Sequence, residues 1–73
     1  MVAAMTPDEF LRRLRRLARR RGVALVEEPG EGSHRKVRLG ERRTIVPMHK
    51  RDIPIGTWRA ILKQLGLMPE DLV

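Results

Sequence analysis

Apolar residues recur at helical spacing near both ends of this chain and at a shorter period between them, and that switch leaves few folds open. Phe10, Leu11, Leu14, Leu17 and Ala18 fall on one stripe of a 3.6-residue period. Thr6, Pro7, Asp8 and Glu9 read as the start of that helix. Thr6 is placed to cap it, Pro7 sits where its missing N–H costs nothing, and Glu9 is placed to reach back as a capping box. Gly22 follows the stripe as a terminator, so the pattern predicts a first helix over about residues 7–21. Trp58, Ile61, Leu62 and Leu65 return to helical spacing and predict a second helix that ends at Gly66. Leu67 to Leu72 reads as a short final turn, with Pro69 near its start.

Between the helices the period falls to two. Val23 to Glu28 reads as a strand that runs into a Pro29-Gly30 turn. Ser33 to Leu39 alternates, which puts His34, Lys36 and Arg38 on one face of a second strand and Arg35, Val37 and Leu39 on the other. Gly40-Glu41 is a tight connection to a third strand, Arg42 to Pro47, in which Pro47 either ends the strand or lies on an edge. The order helix, three strands, helix predicts an α+β fold in two layers. A three-stranded antiparallel sheet would carry both helices on one face and leave the other in water. Residues 1–73 would form a single domain, with residues 1–5 frayed. A chain this short buries only about 60% of its unfolded surface. With no cysteine to staple it, the thin core must come from aliphatic side chains.

Sixteen Lys and Arg against nine Asp and Glu give a net charge of +7, and every basic residue lies between Arg12 and Lys63. Such a domain repels itself, so its charge points to a polyanionic partner: nucleic acid, an acidic protein or an anionic membrane. No run approaches the roughly 20 apolar residues of a membrane helix, and the N-terminal stretch is too short for a signal peptide. The expectation is a cytoplasmic protein that does not enter the membrane. The arginines of the first helix, taken alone, are better read as a solvated face.

Most catalytic constellations are missing. Two histidines fifteen residues apart, without cysteine, make no metal site, and no cofactor motif is present. Glu27 and Glu28 are strand neighbours and diverge, and Gly30-Glu31-Gly32 opens no helix that could cradle phosphate. What remains is His34, at the mouth of a strand after a flexible turn, with Ser33, Arg35, Lys36, Arg38, Arg42 and Arg43 around it. Imidazole exchanges protons near neutral pH. RNA carries its own nucleophile in the 2′-hydroxyl, so one proton-transfer group plus positive charge suffices for a ribonuclease. His49 admits two readings, a loop-fixing hydrogen bond to backbone or a secondary part in catalysis. Trp58 lies on the apolar stripe and reads as core.

Three segments in order carry a resemblance. Gly32-Ser33-His34, then Thr44-Ile45-Val46-Pro47-Met48-His49, then Gly56-Thr57-Trp58-Arg59-Ala60-Ile61-Leu62-Lys63-Gln64-Leu65-Gly66-Leu67 resemble the HicA family of type II toxins. The resemblance implies a double-stranded-RNA-binding-domain-like fold, metal-independent endonucleolytic cleavage of mRNA, and neutralisation by a HicB-like antitoxin protein. His34 falls on the catalytic histidine of the family's Gly-Ser-His motif. Ser33, Arg35, Lys36, Arg38, Arg42 and Arg43 would then contact RNA. The alternatives are a non-catalytic RNA-binding module of the same fold and a domain that docks an acidic protein. Whether the chain forms a homo-oligomer is left open.

Overall fold

A computed structural model describes residues 5–49 and 51–72. Its elements run in the expected order: α1 (Pro7–Arg21), β1 (Leu25–Pro29), β2 (His34–Leu39), β3 (Arg42–Pro47), α2 (Ile55–Leu65) and a closing 3-10 turn (Pro69–Leu72). The three strands form one antiparallel sheet in the order β1-β2-β3.

Helix α1 forms where the stripe and its caps require. The Thr6 hydroxyl accepts the Glu9 N–H at 3.2 Å, and the chain leaves the helix at Gly22 in the left-handed conformation. The capping box is only half made. The Glu9 carboxylate turns to the guanidinium groups of Arg12 and Arg13 instead of reaching back, because charge-assisted bonds outcompete one to a neutral N–H. Strand β1 begins two residues later than expected, and the reason is local. The Val23 N–H returns to the Ala18 carbonyl at 2.9 Å, which makes Val23 part of the helix terminus.

Alternation along β2 sorts the sheet into two faces. Val37 and Leu39 are buried with Thr44 and Val46 of β3, while His34, Lys36 and Arg38 are exposed. The buried face meets Phe10, Leu11, Leu14, Leu17 and Ala18 from α1 and Trp58, Ile61, Leu62 and Leu65 from α2, in one cluster that also takes in Ile53, Leu67 and Leu72. Trp58 is therefore core. Its indole N–H has no acceptor among the described residues, and nothing in the structure explains that omission. The Thr44 hydroxyl, also buried, donates to Gln64 Oε1 at 2.6 Å and ties β3 to α2.

Of the end expected to fray, residues 1–4 lie outside the described residues. Met5 is held: it packs against the core, and its carbonyl accepts the Ile53 N–H at 2.9 Å. Among the described residues no helix is long and apolar enough to cross a membrane.

Charge also fixes the helix to the sheet. Glu27 shares the buried face of β1 and receives two bonds from the Arg15 guanidinium, at 2.7 and 2.8 Å, and a third from Arg35 at 3.2 Å. The hydrogen bonds from Arg15 hold the Glu27 carboxyl below its ordinary range, against an opposing push from partial burial. A carboxyl whose folded value is depressed stabilises the fold above its unfolded value, and that contribution disappears as pH falls through the folded value. Glu27→Gln should therefore cost about 1 kcal/mol at neutral pH, the upper range for a partly exposed pair. Urea unfolding of both proteins along a descending pH series checks this: the difference should close below the ordinary carboxylate range. A gap that stayed constant with pH would assign the loss to packing.

Candidate nucleic-acid interface

The turn between β1 and β2 sets His34 in place. The Gly30 N–H donates to the His34 carbonyl and the His34 N–H to the Glu31 carbonyl, both at 3.0 Å. A side chain at Gly30 would press on that carbonyl, since a Cβ built there lies 3.0 Å from the oxygen. Gly32 completes the reversal at a φ of 58°, a conformation that L side chains rarely adopt. The turn thus needs glycine twice for two different reasons, close approach at one position and handedness at the other.

The His34 ring is exposed, and its Nδ1 lies 3.2 Å from the Glu31 carbonyl. A carbonyl only accepts, so in the neutral ring the proton belongs on Nδ1 and Nε2 is left as the acceptor. Nothing in the sequence marks Glu31 for this part, because the contact uses its backbone.

Strand register decides which expected partners join His34. Lys36 and Arg38 follow it along the open face of β2. Arg43 stands opposite Arg38 in β3, and Ile45 opposite Lys36. Like charges directly opposite in a sheet repel. Yet Lys36, Arg38 and Arg43 make no ion pair among the described residues, whereas Arg12, Arg13, Arg15, Arg21 and Arg35 all have carboxylate partners. Glu28 of β1 stands opposite Lys36 on the same face, and no ion pair forms between them among the described residues.

Two of the expected phosphate contacts lie elsewhere. Arg35 points with Val37 and Leu39 toward the helices, where Glu27 takes it. Arg42 is also on that side, and its guanidinium lies against Gly66 at the end of α2. Ser33 is exposed at the turn, and its carbonyl accepts the Met48 N–H at 2.8 Å. That bond extends the β2–β3 ladder one step beyond the His34–Pro47 pair, so the chain leaves β3 beside His34. His49 arrives there, its ring centroid 6.4 Å from that of His34 and the planes at 75°.

A shallow cleft of about 580 Å³ opens beside His34, lined by Pro29, Gly30, Glu31, Lys36 and Ile45. A larger hollow of about 920 Å³ adjoins it through Lys36 and Ile45, and continues past Arg38 and Arg43 to Thr57 and Gln64 of α2. Ile45 lies on the floor between them with 54% of its surface exposed. Together they make a track with three cations, the Glu28 carboxylate, an apolar patch and a histidine at one end. Among the described residues no three His, Asp or Glu side chains gather as metal ligands.

A family model described as the HicA toxin of bacterial toxin-antitoxin matches residues 11–67. No curated protein matches the chain.

Proposed function

The chain belongs to the HicA toxin family of bacterial toxin–antitoxin systems, and from that premise we propose that it is an endoribonuclease that cleaves mRNA without a metal, using His34 as its proton-transfer group. Membership implies an antitoxin partner; the proposal makes it a HicB-like protein that covers the open face of the sheet. The observation that carries the reading is the meeting of two features on that face. A histidine whose Nδ1 meets the Glu31 carbonyl, which leaves Nε2 as the acceptor of the neutral ring, shares that face with Lys36, Arg38 and Arg43, three cations that make no ion pair among the described residues.

Each feature has a task. His34 Nε2 takes the proton of a ribose 2′-hydroxyl, and the resulting oxygen attacks the adjacent phosphorus. Charge accumulates on the phosphoryl oxygens as the O2′–P bond forms, and Lys36, Arg38 and Arg43 are placed to stabilise it. The P–O5′ bond then breaks, leaving a 2′,3′-cyclic phosphate and a 5′-hydroxyl. Water afterwards opens the ring to a 3′-phosphate. The nucleophile belongs to the substrate, so the protein needs neither a serine nor a metal-bound hydroxide. Ser33 borders the same turn, while Arg35 and Arg42, from the helix side, would reach only nucleotides that wrap around the sheet. Such a nuclease acts in the cytoplasm, where mRNA is translated.

Incubating the purified protein with a defined transcript tests the reading. Cleavage should persist in excess EDTA, and the upstream fragments should end in cyclic phosphate or 3′-phosphate. Fragments ending in a 3′-hydroxyl would require a water nucleophile and overturn the mechanism. Retention of the transcript without cleavage would favour a non-catalytic RNA-binding module.

A further inference from the structure

The geometry points to His49 as the acid that protonates the leaving 5′-oxygen, opposite His34 as the base; this rests on the ribonuclease reading above. The breaking P–O5′ bond needs a proton donor, because an alkoxide is a poor leaving group near neutral pH. The arginines of the face cannot supply it, since a guanidinium does not deprotonate in a protein. A lysine ammonium ordinarily keeps its proton far above neutral pH. Imidazole exchanges protons in the required range, and the face holds a second one.

Position supports the same role. His34 and His49 are fifteen residues apart in sequence, and the Met48–Ser33 bond brings their ring centroids to 6.4 Å. In an in-line displacement the attacking and leaving oxygens lie on opposite sides of phosphorus, and each must come within about 3 Å of its own proton-transfer atom. At that separation the rings meet edge to face, so a phosphoryl group would lie across their exposed edges, or between them once the side chains turn apart. Both side chains are exposed, so substrate can reach the two rings together.

The two rings also differ in what holds them. His34 leans on the Glu31 carbonyl through Nδ1, which fixes its neutral tautomer as an acceptor at Nε2. The His49 ring makes no hydrogen bond among the described residues, and it lies edge to face with His34. The expected alternative for His49, a loop-fixing bond to backbone, is therefore absent from the described contacts. What holds the loop is the Met48 backbone N–H, which the side chain of His49 does not touch.

The step balances. As O2′ bonds to phosphorus its proton passes to His34 Nε2. As P–O5′ breaks, the oxygen takes a proton from the ring nitrogen of His49. His34 ends protonated and His49 neutral. Hydrolysis of the cyclic phosphate runs the transfers in reverse: His49 takes a proton from water, and His34 returns one to O2′.

The test changes the leaving group. On ordinary RNA, His49→Ala should lower cleavage by about 10²- to 10⁴-fold, the range for loss of one proton-transfer group. On an oligonucleotide whose scissile 5′-oxygen is replaced by sulfur, the same variant should cleave at close to the wild-type rate, because a thiolate departs without protonation. His34→Ala should be slow on both substrates. His49→Gln, which keeps bulk and polarity, should behave as His49→Ala does, and unchanged melting midpoints will show that both variants fold. Equal loss of rate on the two substrates would make His49 a binding or structural residue and overturn the assignment. Unchanged cleavage of ordinary RNA by either variant would overturn it as well. A wild-type protein that cleaved neither substrate would instead remove the ribonuclease reading itself.

Discussion

Replacing His34 with alanine is expected to lower RNA cleavage by about 10²- to 10⁴-fold, while the domain stays folded and still binds RNA. The fold should survive because the side chain is exposed and takes no part in the core cluster. Substitutions of that kind usually fall within about 0.5 kcal/mol. The turn should survive too, since its two bonds at this residue use the His34 backbone N–H and carbonyl, which alanine retains. Binding should persist because Lys36, Arg38 and Arg43 remain on the same face and supply the charge that meets phosphate. Three measurements separate these effects: cleavage of a purified transcript, RNA affinity at fixed salt, and thermal unfolding by circular dichroism. Equal cleavage by wild type and variant would leave His34 a bystander. A parallel fall in affinity and cleavage would place it in binding rather than in chemistry.

Why this face was legible in the sequence, and why part of it was not, follows from what each signal measures. Period-two alternation reports which side chains share a face, and it placed His34 with Lys36 and Arg38 correctly because a register slip would have buried three polar groups. The same alternation puts Arg35 with Val37 and Leu39. Composition alone cannot express that division, so grouping residues by charge joined Arg35 to a face it does not share. Arg42 and Arg43 are adjacent in β3 and necessarily point opposite ways, Arg43 to the open face and Arg42 to Gly66. Long-range pairing is not encoded in any local pattern. Glu27 reads as an isolated strand carboxylate until folding sets Arg15 and Arg35 around it. His49 meets His34 only once β2 and β3 are in register. Helix α1 was legible to the residue because cap, stripe and terminator are all local and agree.

That agreement also locates the weakest point of the fold, and Phe10→Ala is expected to expose it. Phe10 is 0% exposed and is the chain's one phenylalanine, in a core otherwise made of aliphatic side chains and Trp58. Truncating a buried phenylalanine to alanine typically costs about 3–5 kcal/mol, the transfer of the ring plus the cavity left behind. A folded chain of 73 residues has roughly 4–11 kcal/mol in total, at about 0.05–0.15 kcal/mol per residue. The substitution therefore removes a large fraction of the stability and can remove nearly all of it. The loss should fall on RNA binding and cleavage together, unlike that of His34→Ala, because both need the sheet that Phe10 helps to cover. Arg16 on the same helix is the matched control. It is exposed and makes no hydrogen bond or ion pair among the described residues, so Arg16→Ala should stay within about 0.5 kcal/mol of wild type. Urea unfolding of the three proteins measures the contrast. A Phe10→Ala variant with a wild-type midpoint would mean that the cluster closes over the missing ring, and that this core is far more adaptable than its close packing implies.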